Sequence, residues 1–259
     1  MNHPRDVLLQ AQASHGLLPV CDHYSGVEVR MRKSLQLQAE MMQEWGACVF
    51  DVTLDCEDGA PTGGEAEHAA LVTELALQAK PTAGIAARIA VRVHPVDHPA
   101  FEADIASIVG QAGHRLCHVM LPKVETLADV ECAVTALQAA GHPDLPLHCL
   151  IESPGAVHRA FAIASGKVPS HCVVTEFNDS EALKTLARRA AREFGFTRMW
   201  SIHPAQIRPI LEAFAPDEAD IEKAAEIILA AVKAQWAPIS HAGQLHDRAS
   251  YRYFWQVLE

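Results

Sequence analysis

Five times along this 259-residue chain a short apolar run stops at a polar or proline-bearing loop. The loops are Asp55-Cys56-Glu57-Asp58, Arg92-Val93-His94-Pro95, Pro122-Lys123, Glu152-Ser153-Pro154 and His203-Pro204. Stretches with helical spacing lie between them. Strand alternating with helix is the signature of a parallel sheet with helical crossovers. Open doubly wound sheets seldom put functional-looking groups on so many consecutive strands. A closed (β/α)8 barrel does, because all of its strand ends converge on one face. The pattern therefore predicts an α/β chain of TIM-barrel type.

Apolar runs near 17–20, 48–54, 88–93, 118–121, 147–151, 171–175 and 199–202 read as strands, seven rather than eight. The catalytic barrel is expected over residues 1–215. A long Ala-rich helix and an aromatic tail, 216–259, read as an extension packing on the barrel or on a neighbouring subunit. No internal repeat is evident. No apolar run reaches transmembrane length, and the N-terminus lacks the charged-then-apolar form of a secretory signal. With a net charge of −11, a nucleic-acid backbone is an unfavourable partner, while an anionic small molecule can still enter a locally compensated pocket. Seven Cys without a Cys-x-x-Cys pair fit reduced thiols and a cytoplasmic setting. The 15 His include no His-Glu-x-x-His. His94 and His98 are each followed by a proline, and His114/His118 straddle a loop and a strand, so a His-only metal site is disfavoured.

The densest chemistry is Leu54-Asp55-Cys56-Glu57-Asp58-Gly59. Carboxylates crowded at a strand end repel unless a cation or hydrogen-bond donors compensate. An acidic turn that also caps the next helix is the plainer account of the same residues.

This stretch, together with Val91-Arg92-Val93-His94-Pro95, Leu121-Pro122-Lys123-Val124-Glu125, Ile151-Glu152-Ser153-Pro154-Gly155 and Trp200-Ser201-Ile202-His203-Pro204-Ala205-Gln206-Ile207, resembles the citrate lyase beta-subunit-like enzymes, the HpcH/HpaI aldolase family. The order and spacing of these pieces fit nearly the whole chain. The resemblance implies a TIM barrel, a homo-oligomer (trimer or hexamer) and Mg²⁺. It also implies carbon–carbon bond cleavage or formation in citryl-, malyl- or citramalyl-type thioesters, or in related hydroxy and keto acids. There are departures. His94 stands where the family usually has Asn. The first strand lacks the family's Arg. Between Ala162 and Gly166 the family's further strand, with the Asp that is the second carboxylate on Mg²⁺, has no counterpart. One βα unit is thus either deleted from this chain or left out of the sequence between Ala162 and Gly166.

Within that resemblance Glu152, directly after an apolar strand, is the expected metal ligand; its plainer role is a helix-entry carboxylate. Glu57 and Asp58 are candidates for the base or for holding metal-bound water. Arg92 is expected to clamp a carboxylate or polarise a carbonyl, with a structural ion pair to Asp55 or Glu57 as the alternative. Lys123 is expected to orient a carboxylate; a Schiff base there would make the metal and acidic cluster unnecessary. Backbone N–H groups near Gly155 can bind a carboxylate. His94 and His203 read as loop braces. Three classes follow: a Mg²⁺-dependent carbon–carbon lyase, a thioester hydrolase on the same scaffold, and a non-catalytic homologue that has lost its metal.

Overall fold

The computed structural model describes residues 3–9, 18–164, 171–173 and 178–259. Two compact units emerge, Pro19–Phe214 and the combination of Met1–Leu18 with Ala215–Glu259. The second unit thus joins the N-terminal segment to the C-terminal one.

The larger unit is built on strands β1 (Cys21–Ser25), β2 (Phe50–Asp55), β3 (Ile89–Arg92), β4 (Leu116–Leu121), β5 (Leu147–Cys149), β6 (His171–Val173) and β7 (Arg198–Ser201). Their order is β5-β4-β3-β2-β1-β7-β6, and every pairing is parallel. The sheet curls into a half-barrel. Among the described residues β5 and β6 are its two edges. The junction after Ala162, where the sequence suggests an absent βα unit, runs through 165–170, outside the described residues. The crossovers are α2 (Glu28–Trp45), α3 (Glu65–Gln78), α4 (Phe101–Asp104) with α5 (Gly110–Ala112), α6 (Leu127–Ala139), α7 (Pro154–Ala164), α8 (Ser180–Phe194) and α9 (Ile207–Phe214). Between α4 and α5 the chain departs from α geometry, and Ile105–Val109 forms a π turn.

Strand β2 shows why the sheet is two-faced. Phe50, Val52 and Leu54 alternate with Asp51, Thr53 and Asp55, and all six are fully buried. Side chains along a strand alternate between faces. The first set joins Cys21, Ile89, Val91, Val119, Leu121 and Met199 in one apolar core with the helices. The second set faces polar partners. Strand β1 forms at Cys21–Ser25, not in the apolar stretch 17–20 expected from the sequence. Its buried polar residues are satisfied there: Asp22 accepts from Thr53 Oγ1 at 2.6 Å and faces His118 Nε2 at 3.0 Å. Buried polar groups persist only when hydrogen-bonded.

Residues at the helix ends stop and start the helices locally. Gly46 ends α2 in the left-handed conformation, with φ 66°. Asp179 opens α8 by accepting the Glu181 and Ala182 N–H groups at 3.0 Å. At α6, Asp129 reaches back to the Thr126 N–H at 2.8 Å.

The smaller unit contains α1 (Pro4–Leu9), α10 (Glu218–Lys233), a hairpin of β8 (Ile239–His241) and β9 (Gln244–His246), and α11 (Arg248–Leu258). Leu8, Ala224, Ile227, Ile228, Ala231, Tyr251 and Phe254 are its core. The buried Tyr251 hydroxyl donates to the Ala237 carbonyl at 2.7 Å. Among the described residues no helix is long and apolar enough to cross a membrane.

Candidate active site

Asp55 and Arg92 end neighbouring strands side by side in register. Arg92 Nε donates to Asp55 Oδ1 at 2.6 Å and Nη2 to Oδ2 at 2.7 Å, a two-pronged pair. Glu57 Oε2 lies 2.7 Å from Nη1, and Asp58 Oδ2 takes a further bond from Nη2 at 2.7 Å. Three carboxylates therefore surround one guanidinium. Burial works against the Arg92 charge, but the hydrogen bond to Asp55 and the neighbouring carboxylates outweigh it and hold its pKa above the ordinary value. Arg92 also lies over the Tyr24 ring, 5.0 Å from its centroid, and Tyr24 stacks on Trp200 at 5.4 Å. The bidentate edge expected to clamp a substrate is thus taken by Asp55, and the structural ion pair offered as the alternative is present.

Lys123 follows β4 with a left-handed backbone, φ 51°. Its ammonium lies 2.6 Å from Glu57 Oε1, and its N–H donates to Glu152 Oε1 at 2.9 Å. One residue thus links the acidic loop after β2 to the carboxylate after β5. The hydrogen bond to Glu57 raises the Lys123 pKa, which keeps it protonated and unsuited to Schiff-base attack. Glu152 is exposed and borders, with Asp97, Lys123, Glu125, Asp129 and Ser153, a cavity of about 530 Å³. Gly155 sits in the first turn of α7. A Cβ there would fall 2.9 Å from both Arg159 Nη2 and Glu125 Oε2, so the Arg159–Glu125 ion pair (2.6 Å) covers it. The structure brings Glu57, Asp58, Arg92, Lys123 and Glu152 into one chain of contacts and sets Gly155 against a different pair.

A second cleft of about 380 Å³ adjoins Asp55 and Asp58 and is bordered by Tyr24, Ser25, Arg30, Lys33, Gly59 and His203, among others. His203 Nδ1 accepts the Ala205 N–H at 3.2 Å. His94 receives its brace from Asp104, which lies 2.6 Å from Nδ1 and accepts the His94 N–H at 2.9 Å. Both match the loop-bracing role. The His94 and His98 rings, each followed by a proline in sequence, nevertheless stack with centroids 4.3 Å apart.

Deeper on the polar face lies a network that sequence reasoning missed. Asp22, Asp51, Cys117, His118, His148 and Arg198 come from five strands. The register shift between Ile89 and Ala90 marks a bulge opposite Cys117. Cys117 Sγ lies 3.4 Å from His118 Nδ1. Two groupings here, Asp22-His118-His148 and Asp51-Cys117-His118, have ligand-type atoms within 4.8 Å of one another. Their charges already balance: Asp51 is paired with Arg198 at 2.6 Å and with Arg88. A hard cation preferring oxygen ligands gains little from such a set. Glu152, the ligand expected from the resemblance, lies outside both groupings, and its second oxygen has no hydrogen bond among the described residues. No pattern in a single strand flags the buried network, since its members are spread over five strands.

A family model described as HpcH/HpaI aldolase/citrate lyase matches residues 35–232. A citrate lyase structure from Burkholderia xenovorans is 37% identical, covers 99% of this chain and 93% of its own, and superposes with a TM-score of 0.75. The Mycobacterium tuberculosis protein CitE, solved with magnesium, acetoacetate and coenzyme A, shares the fold at 20% identity, with 93% and 97% coverage and a TM-score of 0.59. The L-malyl-CoA/beta-methylmalyl-CoA lyase of Cereibacter sphaeroides is 25% identical over 233 residues, covering 63% of this chain and 73% of that protein. With its acidic strand-end loop and the Arg, Lys and Glu gathered around it, this chain belongs to the HpcH/HpaI aldolase/citrate lyase family.

Proposed function

We propose that this protein is a Mg²⁺-dependent carbon–carbon lyase. Its substrate is a citryl-, malyl- or citramalyl-type acyl thioester or a related hydroxy acid, split in a retro-Claisen or retro-aldol step into a keto acid and an acyl thioester or acid. The observation that carries the reading is the continuous linkage from Asp55 through Arg92, Glu57 and Lys123 to Glu152, across the ends of four neighbouring strands. Such a cleavage needs a base for the β-hydroxyl proton, a site for the acid product and positive charge near the developing enolate. Arg92 and Lys123 supply the charge. Glu57 has both oxygens engaged by them and serves to hold them in place. Asp58, far more exposed than Asp55 or Glu57, is the carboxylate able to move. Glu152 would hold the Mg²⁺, since this ion commonly takes one or two carboxylates plus water and substrate oxygens. When bound, Mg²⁺ would offset negative charge and polarise a substrate oxygen. Arg30 and Lys33 give the adjoining cleft a basic border suited to a phosphorylated thioester carrier.

The same reading treats the half-barrel as a TIM-type barrel lacking one βα unit between β5 and β6. Two observations support it. Among the described residues the strand order puts both edges of the sheet at that point. The malyl-CoA lyase alignment is 233 residues long yet draws on 63% of this 259-residue chain and 73% of the relative, so the relative carries internal residues with no counterpart here. A homotrimer or hexamer and a cytoplasmic setting belong to the reading too, the first checked by light scattering. A metal-free, non-catalytic homologue is the second reading, because Glu152 joins no metal-type cluster among the described residues.

Coupled assays for glyoxylate, pyruvate, oxaloacetate and free thiol, with and without Mg²⁺, test the proposal. Keto acid released only with Mg²⁺ supports the lyase. Free thiol without keto acid means hydrolysis, and no product from any thioester means the non-catalytic homologue.

A further inference from the structure

Arg92 has three carboxylate partners, and they are not equivalent. Asp55 is fully buried and takes the two-pronged edge; the Glu57 side chain is 6% exposed and is fastened a second time by Lys123. The Asp58 side chain is 68% exposed, yet its Oδ2 lies 2.7 Å from Nη2 of a guanidinium that is itself 6% exposed. Asp58 borders the 380 Å³ cleft, as do Tyr24 and Asp55. Arg92 rests on the Tyr24 ring, so its position does not depend on Asp58. A buried cation therefore donates one N–H to a solvent-facing carboxylate of the chain's own, and that carboxylate borders the cleft. An ion pair with one exposed partner is weak, because water and salt compete for it.

We propose that Asp58 is a stand-in for the carboxylate of the bound acid: it occupies the anion position on Arg92 Nη2 when the cleft is empty and is displaced when a keto or hydroxy acid enters. The inference rests on the reading that this cleft takes a carboxylate-bearing acid. It makes Asp58 a competitor of the ligand, and therefore sets the sign of its substitution opposite to that expected for a binding residue. Removing the side-chain charge leaves Arg92 held by Asp55 and Glu57 and opens the position. Replacement by Glu restores a carboxylate able to reach the same atom.

The test is calorimetric titration of oxaloacetate into the full chain and into Asp58→Asn, Asp58→Glu and Glu65→Gln. Glu65, at the start of α3, changes the net charge equally but has no contact with Arg92. Binding to Asp58→Asn roughly twofold to fivefold tighter than wild type, with Asp58→Glu and Glu65→Gln near wild type, supports the inference. Equal or weaker binding to Asp58→Asn overturns it. Equal tightening in Glu65→Gln overturns it as well, since the gain would then be long-range charge. So does the absence of oxaloacetate binding in both wild type and Asp58→Asn. Thioester cleavage is measured separately: a chain that binds as expected here but cleaves nothing sinks the lyase reading and leaves the role of Asp58 standing.

Discussion

Gly59 and Gly26 touch backbone to backbone where the β2 and β1 strand ends meet. A Cβ on Gly59 would lie 2.3 Å from the Gly26 carbonyl oxygen and 2.4 Å from that of Asp55. These are rigid atoms, so a side chain must push the acidic loop outward. Gly59→Ala should cost roughly 2–4 kcal/mol of stability. It should also reduce turnover at least about tenfold by shifting Asp58 and Glu57. Urea unfolding and steady-state kinetics check the two effects; a wild-type melting curve would mean the loop yields without strain.

Asp55 anchors the site from below. Asp55→Asn keeps the shape but removes the charge that Arg92 shares in the interior. Glu57 and Asp58 compensate in part, so the expected loss is about 2–4 kcal/mol, at or below the range for breaking a buried pair. A double-mutant cycle with Arg92→Met measures the coupling.

Arg92→Lys should lose most activity. Its five fixed donors serve three carboxylates, and an ammonium cannot reproduce that geometry. Near-normal turnover in this variant would show that charge alone suffices.

Glu152→Gln should abolish Mg²⁺-dependent activity while leaving the unfolding midpoint nearly unchanged, because the side chain is exposed. Activity against Mg²⁺ concentration is the measurement. Full activity at saturating Mg²⁺ would remove Glu152 from the metal site.

His23 sits between Ser34 and Ser201, 3.1 Å from each hydroxyl. Burial lowers its pKa from 6.5 to about 4. The unfolded chain then binds a proton that the native state does not across that interval, so stability is full above about pH 6.5 and falls as pH drops toward 4. Between pH 7.5 and 5 the expected contribution is about 2 kcal/mol. Urea midpoints at the two pH values, compared with those of His23→Gln, isolate it: the variant should show the smaller loss.

How much was legible beforehand differs by element. Gly46, Asp179 and the Thr126–Asp129 turn act within a few residues of themselves, so the sequence suffices to place them. Strand β1 does not. Leu17-Leu18-Pro19-Val20 is the more strand-like stretch by local preference, yet Cys21–Ser25 pairs with β2 and β7. Partners on β2 and β4 make burial of Asp22 tolerable, and no local rule contains them.

The sequence by itself determined the alternation of strand and helix, and with it the fact that Asp55, Glu57, Asp58, Arg92, Lys123 and Glu152 share one end of a parallel sheet. That follows from strand direction alone, since parallel strands all finish on the same side. Only the tertiary structure decided which of these charges meet. Register set Asp55 beside Arg92 and so claimed the edge that a substrate was expected to use. Curling of the sheet brought Tyr24, itself stacked on Trp200, under the guanidinium, and it joined Asp22, Asp51, His118, His148 and Arg198 in one buried network. Pairings between residues as distant as Asp51 and Arg198 depend on strand order and register, and a linear pattern of polar and apolar residues encodes neither.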